Sequence, residues 1–68
     1  MVKERKKLSK QYLKNIIVGG IQSERAAIFY YEHLISEIEN GNDRRSIQHI
    51  LNEEKDHLKI LEKIKRKL

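Results

Sequence analysis

The sequence of 68 residues contains no cysteine and no proline, and it has only four aromatic residues. Because cysteine is missing, disulfides and thiolate metal sites are excluded. Because proline is missing and glycine is scarce, little in the chain interrupts helices. A domain this small buries a modest share of its surface and usually needs further support. We therefore expect oligomerisation, or a metal held by histidine and carboxylate groups.

Long apolar runs are also missing. No run reaches the roughly 18 residues that a membrane span needs, and the N-terminus leads into no continuous apolar segment of the kind found in secretory signals. We therefore expect a soluble cytoplasmic protein with no membrane partner.

Charged residues make up 37% of the chain and hydrophobic residues 38%, a balance typical of amphipathic helices. The net charge of +5 is uneven, with six basic residues in 3–14 and six in 55–67. If the chain folds back on itself, these segments form one basic end. Such an end is either a solvated surface that keeps the protein soluble or a nucleic-acid footprint. Tyr12 is the only aromatic residue among these charges, so we do not expect nucleic acid as a partner.

The apolar residues recur at helical spacing in two segments. Residues 1–8 are highly charged and are expected to fray, and Ser9 is a candidate N-cap. We predict helices over about 9–40 and 44–66, joined by a turn at 41–43. Gly41 would end the first helix in a left-handed conformation, and Asn42 or Asp43 would cap the second.

The resulting fold class is all-α: one domain over 1–68, an antiparallel two-helix hairpin. Gly19 and Gly20 either break the first helix or let a neighbouring helix approach closely, and we expect a continuous or kinked helix. A lone hairpin covers one side of each apolar stripe, so two hairpins would form a four-helix bundle. At least a homodimer is therefore expected.

Three polar residues lie on the apolar faces. At 100° per residue, Glu24 lies at the centre of the first stripe, and Glu54 lies about 20° from Ile47 on the second. His57 follows Glu54 by one turn and lies about 60° away. An unpaired buried carboxylate costs several kcal/mol, which metal coordination would offset. The alternatives are a buried Glu–His or Glu–Lys pair, or carboxylates that reach water at a shallow edge.

The ligand count fits a two-metal site. Carboxylate-bridged di-iron bundles use one glutamate from each of two helices and Glu-x-x-His from each of the other two. A homodimer supplies this set through two copies each of Glu24, Glu54 and His57. Carboxylates and imidazole suit iron, and also manganese or zinc. Tyr31 is a candidate hydrogen-bond donor to a ligand, although an aromatic core residue is an equal reading.

These residues resemble the encapsulated ferritins, short members of the ferritin-like superfamily. The resemblance covers about residues 21–64 and depends on the joint spacing of Glu24, Glu54 and His57, with Tyr30 and Tyr31 in place of the family's Trp-Tyr pair. It implies a ferritin-like bundle whose catalytic and metal-binding residues are Glu24, Glu54 and His57. It further implies a ferroxidase site with two irons at each dimer interface, a higher homo-oligomer, and iron storage inside an encapsulin nanocompartment.

The family's acidic residues beside the first ligand fall on Ser23 and Ala26, so we expect no additional acidic entry site. The chain ends with Lys65-Arg66-Lys67-Leu68 and has no shell-targeting tail. Truncation, action without an encapsulin shell and membership of a fusion are the open alternatives.

The sequence thus predicts an iron(II):oxygen oxidoreductase. The alternative is a non-catalytic helical-hairpin module whose basic end binds nucleic acid or an acidic partner. A metal-stabilised dimer without turnover is a third hypothesis.

Overall fold

The computed structural model describes residues 9–68, which form two helices, α1 (Lys10–Glu37) and α2 (Gly41–Lys67). The two helices pack along their length as an antiparallel hairpin, and the described residues contain no strand. The all-α hairpin is therefore confirmed. The expected fraying of residues 1–8 lies outside the described part of the chain.

The helix starts follow from capping side chains. Ser9 caps α1 as predicted, since its Oγ accepts a hydrogen bond from the Tyr12 backbone N–H at 3.1 Å. Asn40 caps α2, and its Oδ1 accepts from the backbone N–H groups of Asn42 at 2.9 Å and Asp43 at 3.0 Å. Both caps satisfy backbone donors that would otherwise lack a partner in the first turn.

The link between the helices lies about three residues earlier than the predicted turn at 41–43. The first helix ends at Glu37 instead of 40, and Gly41 is the first residue of α2 instead of a left-handed helix terminator. The link itself is 38–40, with Ile38 extended (φ −79°, ψ 128°), and no described residue has positive φ. The predicted cap at Asn42 or Asp43 is corrected to Asn40, because an asparagine can cap a helix as readily as it can end one.

α1 continues through Gly19 and Gly20 without a break. A Cβ on Gly20 would lie 3.4 Å from Cδ1 of Leu61, so this glycine lets α2 approach closely. A Cβ on Gly19 would meet no atom within 4 Å. Only Gly20 is therefore explained by packing within the hairpin.

Each residue of α1 corresponds to the residue of α2 whose number is thirty higher. Ile21 corresponds in this way to Leu51, and these are the two buried residues of the described chain, at 6% and 3% exposure. Two ion pairs between the helices obey the same shift. Arg25 Nη2 lies 3.1 Å from Glu62 Oε2, and Lys55 Nζ lies 3.8 Å from Glu32 Oε2. The hairpin therefore has an approximate internal twofold symmetry, which the sequence analysis missed.

The two glycines give a stability prediction with an internal control. Gly19→Ala should raise the free energy of unfolding by up to about 1 kcal/mol, because alanine is the better helix former and its methyl group meets nothing in the hairpin. Gly20→Ala should raise the free energy of unfolding by less, because the added methyl group would press on Leu61. Urea denaturation followed by circular dichroism measures both values, and an equal or larger gain for Gly20→Ala would contradict this packing.

Candidate metal centre

Glu24, Glu54 and His57 come together at the middle of the hairpin. Each offers a ligand atom, and these atoms all lie within 4.8 Å of one another. Glu24 lies near the midpoint of α1 and Glu54 near the midpoint of α2. The i, i+3 spacing directs Glu54 and His57 to one face of α2. His57 Nδ1 and Glu54 Oε1 are 3.3 Å apart.

The burial of the three side chains differs. Glu24 and Glu54 are half-buried, and His57 is exposed. Oε2 of Glu24 is inaccessible to water and has no hydrogen-bond partner among residues 9–68. A carboxylate oxygen in this state has lost its hydration without compensation, which costs free energy. A cation at the centre of the cluster would remove that cost.

The pKa of Glu24 is raised above the ordinary value of a glutamic acid. The main cause is the nearby Glu54 carboxylate, which can accept a hydrogen bond from a protonated Glu24. Burial and charge repulsion from Glu54 raise the pKa further, while His57 lowers it. The hydrogen bond between Glu24 and Glu54 forms only when one of the two carboxyl groups is protonated. When both are ionised, Glu24 Oε2 accepts no hydrogen bond from the described residues. The site therefore favours positive charge, as a proton or as a metal ion.

The donor set and spacing fit a divalent first-row metal. Two carboxylates and one imidazole are the ligand types that iron(II), manganese(II) and zinc(II) accept. Ligand atoms on opposite sides of such an ion lie about 4.2 Å apart, so small side-chain rotations would bring these three into bonding range. Three protein ligands leave the coordination of one ion incomplete, and a second ion would need further carboxylates.

The remaining candidates lie apart from the cluster. Tyr31 is half-buried on the face of Glu24, two turns toward the link, and its hydrogen bond to a ligand stays a prediction. His49 and Glu53 form a separate exposed pair with Nε2 and Oε1 3.4 Å apart.

The hairpin has two unlike long faces. The angle of each residue about its helix axis is measured from Glu24 on α1 and from Glu54 on α2. Because the two helices are antiparallel and related by a twofold axis, residues with angles of the same sign lie on the same long face of the hairpin. The ion-pair residues Arg25, Glu32, Lys55 and Glu62 are all displaced by about +80° to +100°, and we call this side the ion-pair face. His57 is displaced the other way, by about −60°.

Large apolar side chains accompany His57 on that second side, which we call the apolar face. Four of them lie about −40° to −80° from the site glutamates, with exposures as follows: Ile16 53%, Leu34 38%, Ile50 36% and Ile64 40%. Solvent-exposed apolar patches of this kind mark interaction surfaces. The cluster of Glu24, Glu54 and His57 therefore opens onto the side of the hairpin that carries these exposed apolar side chains.

The raised pKa of Glu24 predicts an unusual pH dependence in the metal-free protein. The folded state holds the Glu24 proton more tightly than the unfolded chain does. The resulting stabilisation is complete below the ordinary pKa of glutamic acid and is lost as the pH rises through the raised value. Glu24→Gln, which mimics the protonated group, should be more stable than the wild type at neutral pH, and the gap should close as the pH falls through this window.

Urea denaturation at a series of pH values measures that gap, with Glu39→Gln in the exposed link as the control. A gap that did not change with pH would contradict the assignment of a raised pKa to Glu24.

Comparisons with known proteins do not assign this chain to a family. No protein-family model matches the sequence, and no curated protein or solved structure matches it.

Proposed function

We propose that this protein is a ferroxidase that oxidises iron(II) to iron(III) at a two-metal site formed between two copies of the hairpin. The observation that carries the proposal is the convergence of Glu24, Glu54 and His57 within 4.8 Å at the middle of an exposed apolar face. Two copies related by a twofold axis through the cluster would contribute four carboxylates and two imidazoles. That set equals the ligand set of the di-iron carboxylate bundles.

The exposed apolar side chains support a dimer through the apolar face. A second hairpin would cover Ile16, Leu34, Ile50 and Ile64 and complete a four-helix bundle. Burial of a large aliphatic side chain contributes about 1.5–3 kcal/mol. A hairpin that buries little more than Ile21 and Leu51 gains most from such contacts.

The charge distribution supports an antiparallel arrangement of the two hairpins. Within residues 9–68, the half at the open end (9–23 and 55–68) has eight basic and two acidic residues. The half at the link (25–53) has three basic and five acidic residues. Because the site lies at the midpoint of both helices, a twofold axis that passes through it perpendicular to the helices places the open end of one hairpin beside the link end of the other. Opposite charges then face each other and like charges are kept apart.

The chain's own groups would act as follows. Glu24 and Glu54 bind and neutralise iron(II), and His57 supplies a neutral nitrogen ligand. In the two-electron form of the reaction, two iron(II) ions each give one electron to dioxygen, which takes up two protons and becomes hydrogen peroxide. Where Glu24 is protonated, its proton must leave as iron(II) binds, so the affinity for iron(II) should rise with pH.

Manganese(II) or zinc(II) could replace iron(II) at this site, because carboxylate and imidazole ligands also bind these ions. A higher oligomer, storage of the oxidised iron and an encapsulin shell are proposals that depend on the family resemblance alone. The rival hypothesis of a non-catalytic module predicts binding without any metal dependence.

The activity test compares two Glu–His pairs in the same chain. Glu54→Ala and His57→Ala should lower the rate of ferric absorbance increase after iron(II) addition in air by at least about tenfold, since each removes a ligand. Glu53→Ala and His49→Ala remove an exposed pair of the same chemistry and should retain the rate.

Equal rates in all four variants and the wild type would contradict the proposal. Metal binding that raises the melting temperature without oxidation would also contradict it, and would indicate the metal-stabilised dimer instead.

The dimer is tested separately by light scattering. Ile64→Asp places a charge on the apolar face and should convert a wild-type dimer to a monomer, because burying an unpaired charge costs several kcal/mol. Phe29→Asp is the matched control, since Phe29 is 67% exposed and lies about +140° from Glu24, away from the apolar face. A monomeric wild type, or equal loss of the dimer in both variants, would contradict this arrangement.

A further inference from the structure

A basic groove lies on the ion-pair face at the open end of the hairpin. It is about 370 Å³ in volume and runs between α1 and α2. Its floor includes the apolar side chains of Val18 and Ile21, and Lys65 and Arg66 of the last α2 turns lie along its edge. The dimer proposed above uses the opposite face, so the groove would stay open to solvent in it.

The polar lining of the groove carries an excess of positive charge. Arg25, Lys65 and Arg66 are basic, and Glu62 is acidic. Arg25 donates one hydrogen bond to Glu62 at 3.1 Å, and a guanidinium has further N–H donors in the same plane. The Gln22 side chain adds an amide donor at the edge. The groove therefore offers several donors beside an apolar floor, and its described lining residues carry an excess of two positive charges.

The internal symmetry of the hairpin supplies a second observation. The thirty-residue shift relates Arg25 to Lys55 and Glu62 to Glu32, so the polar pair recurs at the link end. Lys65 and Arg66 correspond instead to Ile35 and Ser36. The fold thus accepts an aliphatic and a small hydroxyl residue at these positions, and the two cations are specific to the open end.

The last turn of α2 contains three cations, Lys65, Arg66 and Lys67, and basic residues there offset the partial negative charge of the helix. Two of the three, Lys65 and Arg66, also line the groove, together with the Arg25 guanidinium and the apolar side chains of Val18 and Ile21.

We propose that this groove binds a small dianion that carries oxyanion groups on a short apolar body. Two negative charges match the excess charge of the lining, and the apolar floor accommodates a few carbon atoms. Carboxylate and phosphate groups both accept charge-assisted hydrogen bonds from arginine and lysine. The ligand class is therefore an aliphatic dicarboxylate or an organic phosphate. The inference is independent of the ferroxidase proposal.

The test is a titration of metal-free protein followed by backbone amide NMR shifts. The probes are succinate and inorganic phosphate, with sodium chloride at matched ionic strength as the reference. We expect saturable shifts at Gln22, Arg25 and Glu62 with at least one probe. Tighter binding of succinate would assign the site to carboxylates, and tighter binding of phosphate would assign it to phosphates.

Lys65→Ile/Arg66→Ser gives the groove the residues of its symmetry-related positions and should weaken binding at least about tenfold. Lys63→Gln/Lys67→Gln removes the same charge outside the groove and should bind like the wild type. Lys65→Arg should retain binding. Circular dichroism checks that each variant is folded. Non-saturable shifts that equal those in chloride, or equal weakening in both double variants, would overturn the proposal.

Discussion

A carboxylate oxygen without a hydrogen-bond donor at the centre of the hairpin is the constraint on which the rest of the structure depends. Oε2 of Glu24 is shielded from water, and the facing carboxylate of Glu54 repels it unless a proton lies between them. Well-packed apolar residues of similar volume often stabilise a protein at least as well as buried charged groups. Two carboxylates and a histidine at these positions therefore carry a cost in free energy that a bound cation would offset.

The two long faces of the hairpin differ in the side chains that they expose. Only Ile21 and Leu51 are buried among the described residues, and large apolar side chains remain exposed on the face onto which the cluster opens. The ion pairs Arg25–Glu62 and Lys55–Glu32 occupy the opposite face, where they are partly solvated and each contributes no more than about 1 kcal/mol. One side of the hairpin is therefore lined by ion pairs, and the other carries exposed apolar side chains.

The internal twofold symmetry connects these features. Each site glutamate is followed by a basic residue that contacts the other helix, and each is preceded by a buried aliphatic residue three positions earlier. The symmetry fails at two informative places. Ala27 corresponds to His57, so α2 alone supplies imidazole, and Ile35 and Ser36 correspond to Lys65 and Arg66, so one end alone has the basic groove. These two departures from symmetry fall on residues to which we assign function, whereas Glu24 and Glu54 obey the symmetry.

The sequence by itself determined the helical class, the Ser9 cap and the faces of Glu24, Glu54 and His57, because helical periodicity and capping chemistry are local properties. It misplaced the link by about three residues, because Asn40 and Gly41 suit the end of one helix as well as the start of another. Only the tertiary structure decided that Gly20 and not Gly19 admits the neighbouring helix, and that Glu24 Oε2 is the oxygen left without a partner. The ion pairs and the basic groove were equally beyond local patterns, because they depend on the relative position of residues on separate helices.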